Sequence, residues 1–590
     1  MGFISLVKKI KVDFLLVAGA IIVALVSFAP EFIATLRLGD GYRGMPFMFQ
    51  ANEDAYLARI REVTDGHGKI GSAFLYEYKN WNPMVPSVGE YMYAWPTVVL
   101  NLPLLPVYRI IKIIFPAFLF ALVYTFIRCL SVDHLSRSAR FNAFVGGLLV
   151  TLGYDLVDFR SIITLIKDPA YFGSLSVWIR PVNPITGAIL IFAFLLLAFI
   201  ITTKRRRYIF IPAALVWALT IGYVFSWTFI LAFIGVLAGW AAWRKDTYVL
   251  SQLGLTTLVW ALVTLPYWLT VISSLSSPEG QAVAARSGLV LTHAPVINKF
   301  LLAATLVFIV SSIYFRYVNK NQKHESENLS WWFCVLLIVT CWIVFSQQII
   351  TGHSIWHHHY VQYTIPVILV IGMVMFNNWI KTSFFKLWVA GIGTVMVLIV
   401  LYNALALHST SHYVGVFKQL QRYQPLFTWI QANTNPDCVI LNQDDPGAKF
   451  DTLIPAFTHC NVYAPSWVFD GVPPERVWHN YLVMLRLRAV DPASVKSYLE
   501  EHAEEVTSYF FTNWNQLFYA ADKAFTMETI DKLAVAYQDF IKKDFSSELK
   551  KYKLDYIVFV GNPSATMLKQ FSFVQEAYHD DTYWMYQISP

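Results

Sequence analysis

The stretch FLLVAGAIIVALVSFAPEFIATL, residues 14–36, decides the fold class. It carries a single charged residue, Glu31. A helix of about 20 apolar residues is long enough to cross about 30 Å of hydrocarbon with its backbone satisfied internally. Lys8, Lys9 and Lys11 precede it, as in a secretory signal, but the run is too long and lacks a small-residue cleavage site. It reads as an uncleaved first span.

The rest of the chain agrees. Over 590 residues, 56% are hydrophobic, 16% aromatic and 14% charged, with a mean hydropathy of +0.49. Soluble domains carry about 25% charged residues. Further apolar runs lie near 106–129, 141–154, 184–202, 208–223, 225–243, 249–273, 299–315, 331–350, 362–380 and 387–407. The expectation is a polytopic α-helical membrane protein of about 11 transmembrane helices.

Basic residues test that count. With the N-terminus cytoplasmic, the inner loops hold Arg128, Arg137 and Arg140, then TKRRR (203–207), WRK (243–245), RYVNKNQK (316–323), and Lys381 with Lys386. Every inner loop is then basic, as the excess of Lys and Arg in the cytoplasmic loops of spanning helices requires. A wrong count would break the alternation. The net charge of +7 therefore follows topology, and no basic, aromatic-interleaved groove suggests nucleic acid.

An odd number of spans puts residues 409–590 outside, after a transmembrane module at 1–408. The tail is roughly 180 residues, the size of one domain. Short β-rich runs, CVILN (438–442), NVYAP (461–465), SYFFTN (508–513), YIVFVG (556–561) and YWMYQI (583–588), alternate with helical stretches at 491–505 and 527–549. This predicts a C-terminal extracytoplasmic α/β domain. Cys129, Cys334 and Cys341 fall in or beside spans as packing residues. Cys438 and Cys460 lie outside, where a disulfide is permitted, although two cysteines alone do not decide it. Zinc spacing, a Walker loop, a nucleophile elbow and a dinucleotide fingerprint are all missing from the sequence.

Charge concentrates in the outer loops. In the first, 37–86, the segment FQANEDAYLARIREVTDGHGKIGS (49–72) reads as a helix with Asn52 as N-cap and Glu53 and Asp54 in the first turn, stopped by DGHG (65–68). Tyr56, Ile60 and Val63 share an apolar face, with Glu53 near it and Asp54 away. The expectation is a helix docked on the membrane surface, its acidic pair projecting; simple complementarity to the helix dipole is the alternative. SVGEYMYAWPTVVLNLPLLP (87–106) reads as an interfacial segment leading into span two.

The second outer loop, 155–184, holds Asp155, Asp158, Arg160, Lys167, Asp168 and Arg180. Carboxylates at the exit of a span mark a functional site, and Arg160, Lys167 and Arg180 could hold a phosphate; a solvated loop with ordinary ion pairs is the plainer reading. The third, QQIITGHSIWHHHYVQY (347–363), offers His353 and His357 four apart, then His358, His359 and Tyr360. These suit a metal, a phosphate, or simply polar capping of two spans. Arg286 and His293 belong to a further loop, 274–298.

The arrangement of NEDAYLARI in the first outer loop, acidic residues after span three, IRPVNP (179–184), TGHSIWHHHY (351–360) and an outer C-terminal domain resembles the GT-C superfamily of membrane glycosyltransferases. The resemblance implies an enzyme using a polyprenyl-phosphate-linked sugar. It implies catalysis by Asp54 with Glu53 beside it, a second acidic position at Asp155 or Asp158, and a divalent metal, Mg or Mn, as a candidate cofactor on Asp54 and Asp158. Substrate-binding candidates are then Asp155, Asp158, Arg160, Lys167, Arg180, Arg286, His353, His357, His359 and Tyr360. The implied partners are a lipid-linked donor, a glycan, lipid or protein acceptor, and membrane lipid. No WWDYG-type motif accompanies these features, which argues against an oligosaccharyltransferase catalytic subunit and leaves the acceptor open. The alternative from another class is a lipid-linked saccharide flippase. It would need polar or broken helices at the bilayer centre, and the spans carry few ionisable residues there.

Overall fold

The computed structural model describes residues 13–81, 83, 85–168, 176–204, 206, 208–278, 281, 290–291, 293–318, 325–354, 356–380, 385–443, 450–466, 472–510, 523–571 and 574–588. The chain forms two compact units. The first takes Met1–Ala51, Leu105–Leu265 and Leu291–Gln419, and the second Asn52–Leu104, Pro266–Val290 and Leu420–Pro590.

Each apolar run is helical. Among the described residues, seven helices are long and apolar enough to cross a membrane: Phe14–Gly41, Leu104–Leu130, Ile185–Thr203, Val224–Trp243, Thr247–Ser274, His357–Asn378 and Phe385–Thr410. Three shorter apolar helices are Phe210–Gly222, Lys299–Tyr314 and Leu329–Phe345. The run at 141–154 lies in helix Arg137–Leu152, which is mostly buried. The first unit is therefore a bundle of membrane helices. Gly19 and Gly147 let two helices close on the Phe120 ring, which a Cβ at either position would overlap. The Phe333 ring meets Phe199 and Phe233, each at 5.4 Å, and Phe126 at 6.0 Å. Trp178 is buried at one end of helix Arg137–Leu152, its indole N–H donating to the Val150 carbonyl at 2.7 Å.

The second unit is built on a five-stranded sheet: β1 Val439–Asn442, β2 Asn461–Val462, β3 Tyr556–Val560, β4 Val574–His579 and β5 Tyr583–Ile588. The strand order is β2-β1-β3-β5-β4. β1 runs parallel to both neighbours, with Ile440 opposite Val462 and Leu441 opposite Ile557. β5 is antiparallel to β3 and β4. The parallel strands are short and β-branched, as strands buried on both faces tend to be. The open edge of β2 is covered from the segment between the first two spans, where the Phe74 carbonyl accepts the Val462 N–H at 2.9 Å.

Four of the five expected strand runs lie in this sheet. The fifth, SYFFTN, does not: residues 508–510 end helix Ala503–Phe510, and 511–513 fall outside the described residues. Val506, Tyr509 and Phe510 are buried at helical spacing, and Phe510 packs at 5.2 Å on both Trp478 and Tyr481. That packing overrides the β propensity of an aromatic run. Cys438 and Cys460 form a disulfide joining the starts of the paired strands β1 and β2.

Candidate functional site

Between the first two spans the expected helix forms over Glu53–Thr64 and ends at Asp65, as DGHG requires. Its environment differs from the expectation. Nine of its twelve residues are buried, including Glu53 at 0% exposure and Asp54 at 6%. It is thus an interior helix of the second unit, and its acidic pair does not project. Asn52 stands at the N-cap position in a left-handed conformation (φ 61°) and makes no side-chain cap bond.

Partners distant in sequence make this burial tolerable. Thr452 Oγ1 donates to Asp54 Oδ2 at 2.6 Å, and the Ala55 amide donates to Asp54 Oδ1 at 3.0 Å. Arg61 Nε donates to the Ala456 carbonyl at 3.0 Å, fixing the helix to Phe450–Phe457. Arg59 pairs with Glu90 at 2.6 Å, fixing it to helix Val88–Leu100. Lys79, with 2% of its side chain exposed, lies between Glu62 (3.1 Å) and Asp437, and His67 Nε2 approaches Asp437 at 3.4 Å. Burial pushes the Glu62 carboxyl up, against the pull of Lys79. Burial also works to raise Asp437, but the hydrogen bond and charge of Lys79 prevail and hold it below the usual carboxylate range. Buried charges of this kind persist only where they are paired.

Helix Val88–Leu100 keeps an apolar outer face, with Tyr91, Trp95, Val98 and Val99 exposed. That is the composition of an interfacial helix.

The second-loop candidates belong to the first unit. Asp155 sits in a short 3-10 turn after helix Arg137–Leu152, where Tyr402 donates to its Oδ2 at 3.1 Å. Burial pushes the Asp155 carboxyl up to about 7; the Tyr402 bond opposes the shift and the Asp158 charge adds to it. Asp158 is exposed and caps the next helix, Phe159–Lys167, accepting from the Arg160 amide at 3.2 Å. Arg160, Lys167 and Asp168 are exposed, and Arg180 is half-buried.

In the third loop, His357–Tyr360 forms a 3-10 turn leading into helix Val361–Met375. Tyr223 OH and His359 Nδ1 are 2.6 Å apart, the His359 ring stacks on Phe225 at 4.7 Å, and Tyr360 OH meets Thr228 at 2.8 Å. His353 lies in the two-residue strand His353–Ser354. His293 Nδ1 is 3.1 Å from the Ile349 carbonyl. Arg286 lies outside the described residues.

The sequence reading passed over several of these partners. Thr452 and Tyr402 had no signal, since each is an ordinary residue on an apolar helix. Lys112 had one: it is an ionisable residue two turns inside a span, a position usually functional. Its side chain is buried between the rings of Tyr108 (5.3 Å) and Phe49 (5.9 Å). One turn earlier, Arg109 bonds Tyr42, the Gly44 carbonyl (2.8 Å) and Glu31 (2.8 Å). Among the described residues, one group of three potential metal ligands occurs, Cys438, His459 and Cys460.

No family model and no curated protein matches the chain. Solved structures similar to it include ArnT from Cupriavidus metallidurans in the apo state, at 11% identity over 98% of this chain and 98% of that one, with a TM-score of 0.45. Another is the oligosaccharyltransferase of Archaeoglobus fulgidus in the apo form, at 11% identity over 92% of this chain and 69% of that one, with a TM-score of 0.37. A third is the archaeal oligosaccharyltransferase AglB from the same organism, in complex with an inhibitory peptide and a dolichol-phosphate, at 12% identity over 93% and 69%, with a TM-score of 0.34.

Proposed function

We propose that the chain is an integral membrane glycosyltransferase of the GT-C type, transferring a sugar from a polyprenyl-phosphate-linked donor to an acceptor on the outer face of the membrane. The observation that carries this reading is Asp54, a carboxylate held in a fixed orientation by Thr452 and the Ala55 amide at the start of an outer-loop helix. Two donors use one lone pair on each oxygen, so each oxygen keeps a second that can take a proton.

In the proposed step, the acceptor oxygen or nitrogen attacks the anomeric carbon while its proton passes to Asp54. The bond from that carbon to the phosphate oxygen breaks, and polyprenyl phosphate leaves with the electron pair. A single in-line displacement of this kind inverts the anomeric centre. The departing phosphate needs cationic or hydrogen-bonding groups for its growing charge. Arg160, Lys167, Arg180 and the histidines of 353–359 are the candidates for that work. A divalent ion such as Mg or Mn would supply further charge neutralisation. Asp158, an exposed carboxylate, suits a hard cation.

The test is sugar release from radiolabelled polyprenyl-phosphate sugars by the purified protein, comparing wild type with Asp54→Asn. The expected result is turnover by wild type and a loss of more than about a hundredfold in the variant. The melting temperature is measured alongside, because Asp54 also accepts a buried hydrogen bond. Equal turnover by a folded variant would remove Asp54 from the chemistry and transfer the role to Asp155 or Asp158. Headgroup binding with lipid movement and no sugar transfer would favour the flippase.

A further inference from the structure

The disulfide of the second unit has a third donor beside it. His459 immediately precedes Cys460, and one ligand atom from each of Cys438, His459 and Cys460 lies within 4.8 Å of the others. All three face one oxygen. Thr434 Oγ1 is 2.9 Å from His459 Nε2, 3.4 Å from Cys460 Sγ and 3.5 Å from Cys438 Sγ, while its own O–H donates to the Ile430 carbonyl at 2.8 Å. Two sulfurs and an imidazole nitrogen thus converge on a single polar point.

The backbone sets that convergence. β1 and β2 run parallel and paired, Val439 opposite Asn461, so the residues just before each strand stand side by side. Cys438 and Cys460 occupy those positions. The Asp437 amide donates to the His459 carbonyl at 3.1 Å, and the Asn461 amide to the Cys438 carbonyl at 2.6 Å, which fixes the two segments whatever the state of the sulfurs. A tetrahedral zinc ion, with ligands at about 2.0–2.3 Å, needs its donor atoms about 3.3–3.8 Å apart. Opening the sulfur–sulfur bond would bring the three donors into that range with side-chain rotation alone.

We propose that, in its dithiol form, the second unit binds one zinc-class divalent ion through Cys438, Cys460 and His459, and that disulfide formation and metal binding are mutually exclusive states of this site. A dithiol reductant supplies two electrons to the protein disulfide, giving two thiols and the reductant's own disulfide. The metal then displaces one proton from each thiol and takes the Nε2 lone pair of His459 in the neutral tautomer that carries its proton on Nδ1, with water beside the Thr434 hydroxyl as fourth ligand. Oxidation by another disulfide withdraws two electrons from the thiolates, restores the sulfur–sulfur bond and expels the ion. The ligand set is soft sulfur and imidazole, which selects zinc over magnesium or manganese and separates this site from any carboxylate-held ion. The proposal stands independently of glycosyl transfer.

The test uses the full-length protein in detergent, oxidised or reduced with a phosphine that is then removed anaerobically, titrated with cobalt(II) as a spectroscopic stand-in for zinc. The expected result is a thiolate-to-cobalt charge-transfer band at one equivalent in the reduced protein, abolished by zinc and lacking in the oxidised protein. His459→Ala should weaken the binding at least about tenfold. Cys438→Ser with Cys460→Ser should remove the band while leaving Cys129, Cys334 and Cys341 in place. A band that survives the double substitution, or is indifferent to His459, overturns the proposal. If the variants do not fold, alkylation of reduced wild type decides: zinc should shield Cys438 and Cys460, and equal labelling with and without zinc overturns it.

Discussion

Helix Glu53–Thr64 holds five charged residues among its twelve, yet nine of the twelve are buried. Helix Thr247–Ser276 holds none among its thirty, yet Leu258, Leu262, Leu265, Leu269 and Ile272 are all about half exposed or more. In a protein surrounded by water this distribution would be inverted, because apolar area is driven inside. Lipid tails remove that drive for a spanning helix, so apolar side chains face outward freely and interior positions go to whatever packs. Helix Glu53–Thr64 obeys a different constraint. Its charges can be interior because Asp54, Arg61 and Glu62 meet a hydroxyl, a carbonyl and a lysine respectively. Burial in this chain therefore reports partners in one region and solvent in the other.

Four perturbations would break or sharpen that contrast, each read as a shift in melting temperature of the purified protein. Lys79→Met should cost most, about 3–5 kcal/mol, because it strands two carboxylates, Glu62 and Asp437, that share one cation. A cost below about 1 kcal/mol would mean that the network is solvated and the contrast unfounded.

The second concerns pH. Asp155 has a carboxyl pushed up to about 7, above its usual value near 4. The folded state therefore holds a proton there that the unfolded state has released, and stability contributed by the neutral form is lost as pH rises from about 4 towards 7. The effect should be on the order of a few kcal/mol. Asp155→Asn should flatten this part of the profile, and an unchanged slope would count against the assignment.

Next, Thr452→Val should cost about 1.5–3 kcal/mol by removing the hydroxyl donor from the Asp54 carboxylate, with Thr452→Ser recovering most of it. Smallest of all, Leu262→Ala on the exposed face of helix Thr247–Ser276 should change stability by less than about 0.5 kcal/mol. A loss of the size typical of a core leucine would show that this face is covered by protein.

How much was legible in the sequence differs between the regions for the same reason. Every apolar run is helical, because the period and length of the spans are local properties. Four strands could be read from short β-rich runs. β4, Val574–His579, was missed, because its residues are all half-buried or exposed and carry no strong apolar pattern. In helix Glu53–Thr64, Glu53 and Asp54 were visible as an acidic pair, but their direction was not. Periodicity around Tyr56, Ile60 and Val63 placed Asp54 away from the apolar face, whereas the structure buries it against Thr452, 398 residues further along the chain.

The sequence by itself thus determined that this is a helical membrane protein, where its apolar runs lie, and that a mixed α/β tail follows them, because each rests on composition and short-range period. Only the tertiary structure decided that Asp54 is interior and oriented, that Lys79 is shared between Glu62 and Asp437, that Tyr402 holds Asp155, and that Cys438, His459 and Cys460 meet around Thr434. Those are pairings between residues far apart in the chain, and pairing energy leaves no mark on the composition of either partner.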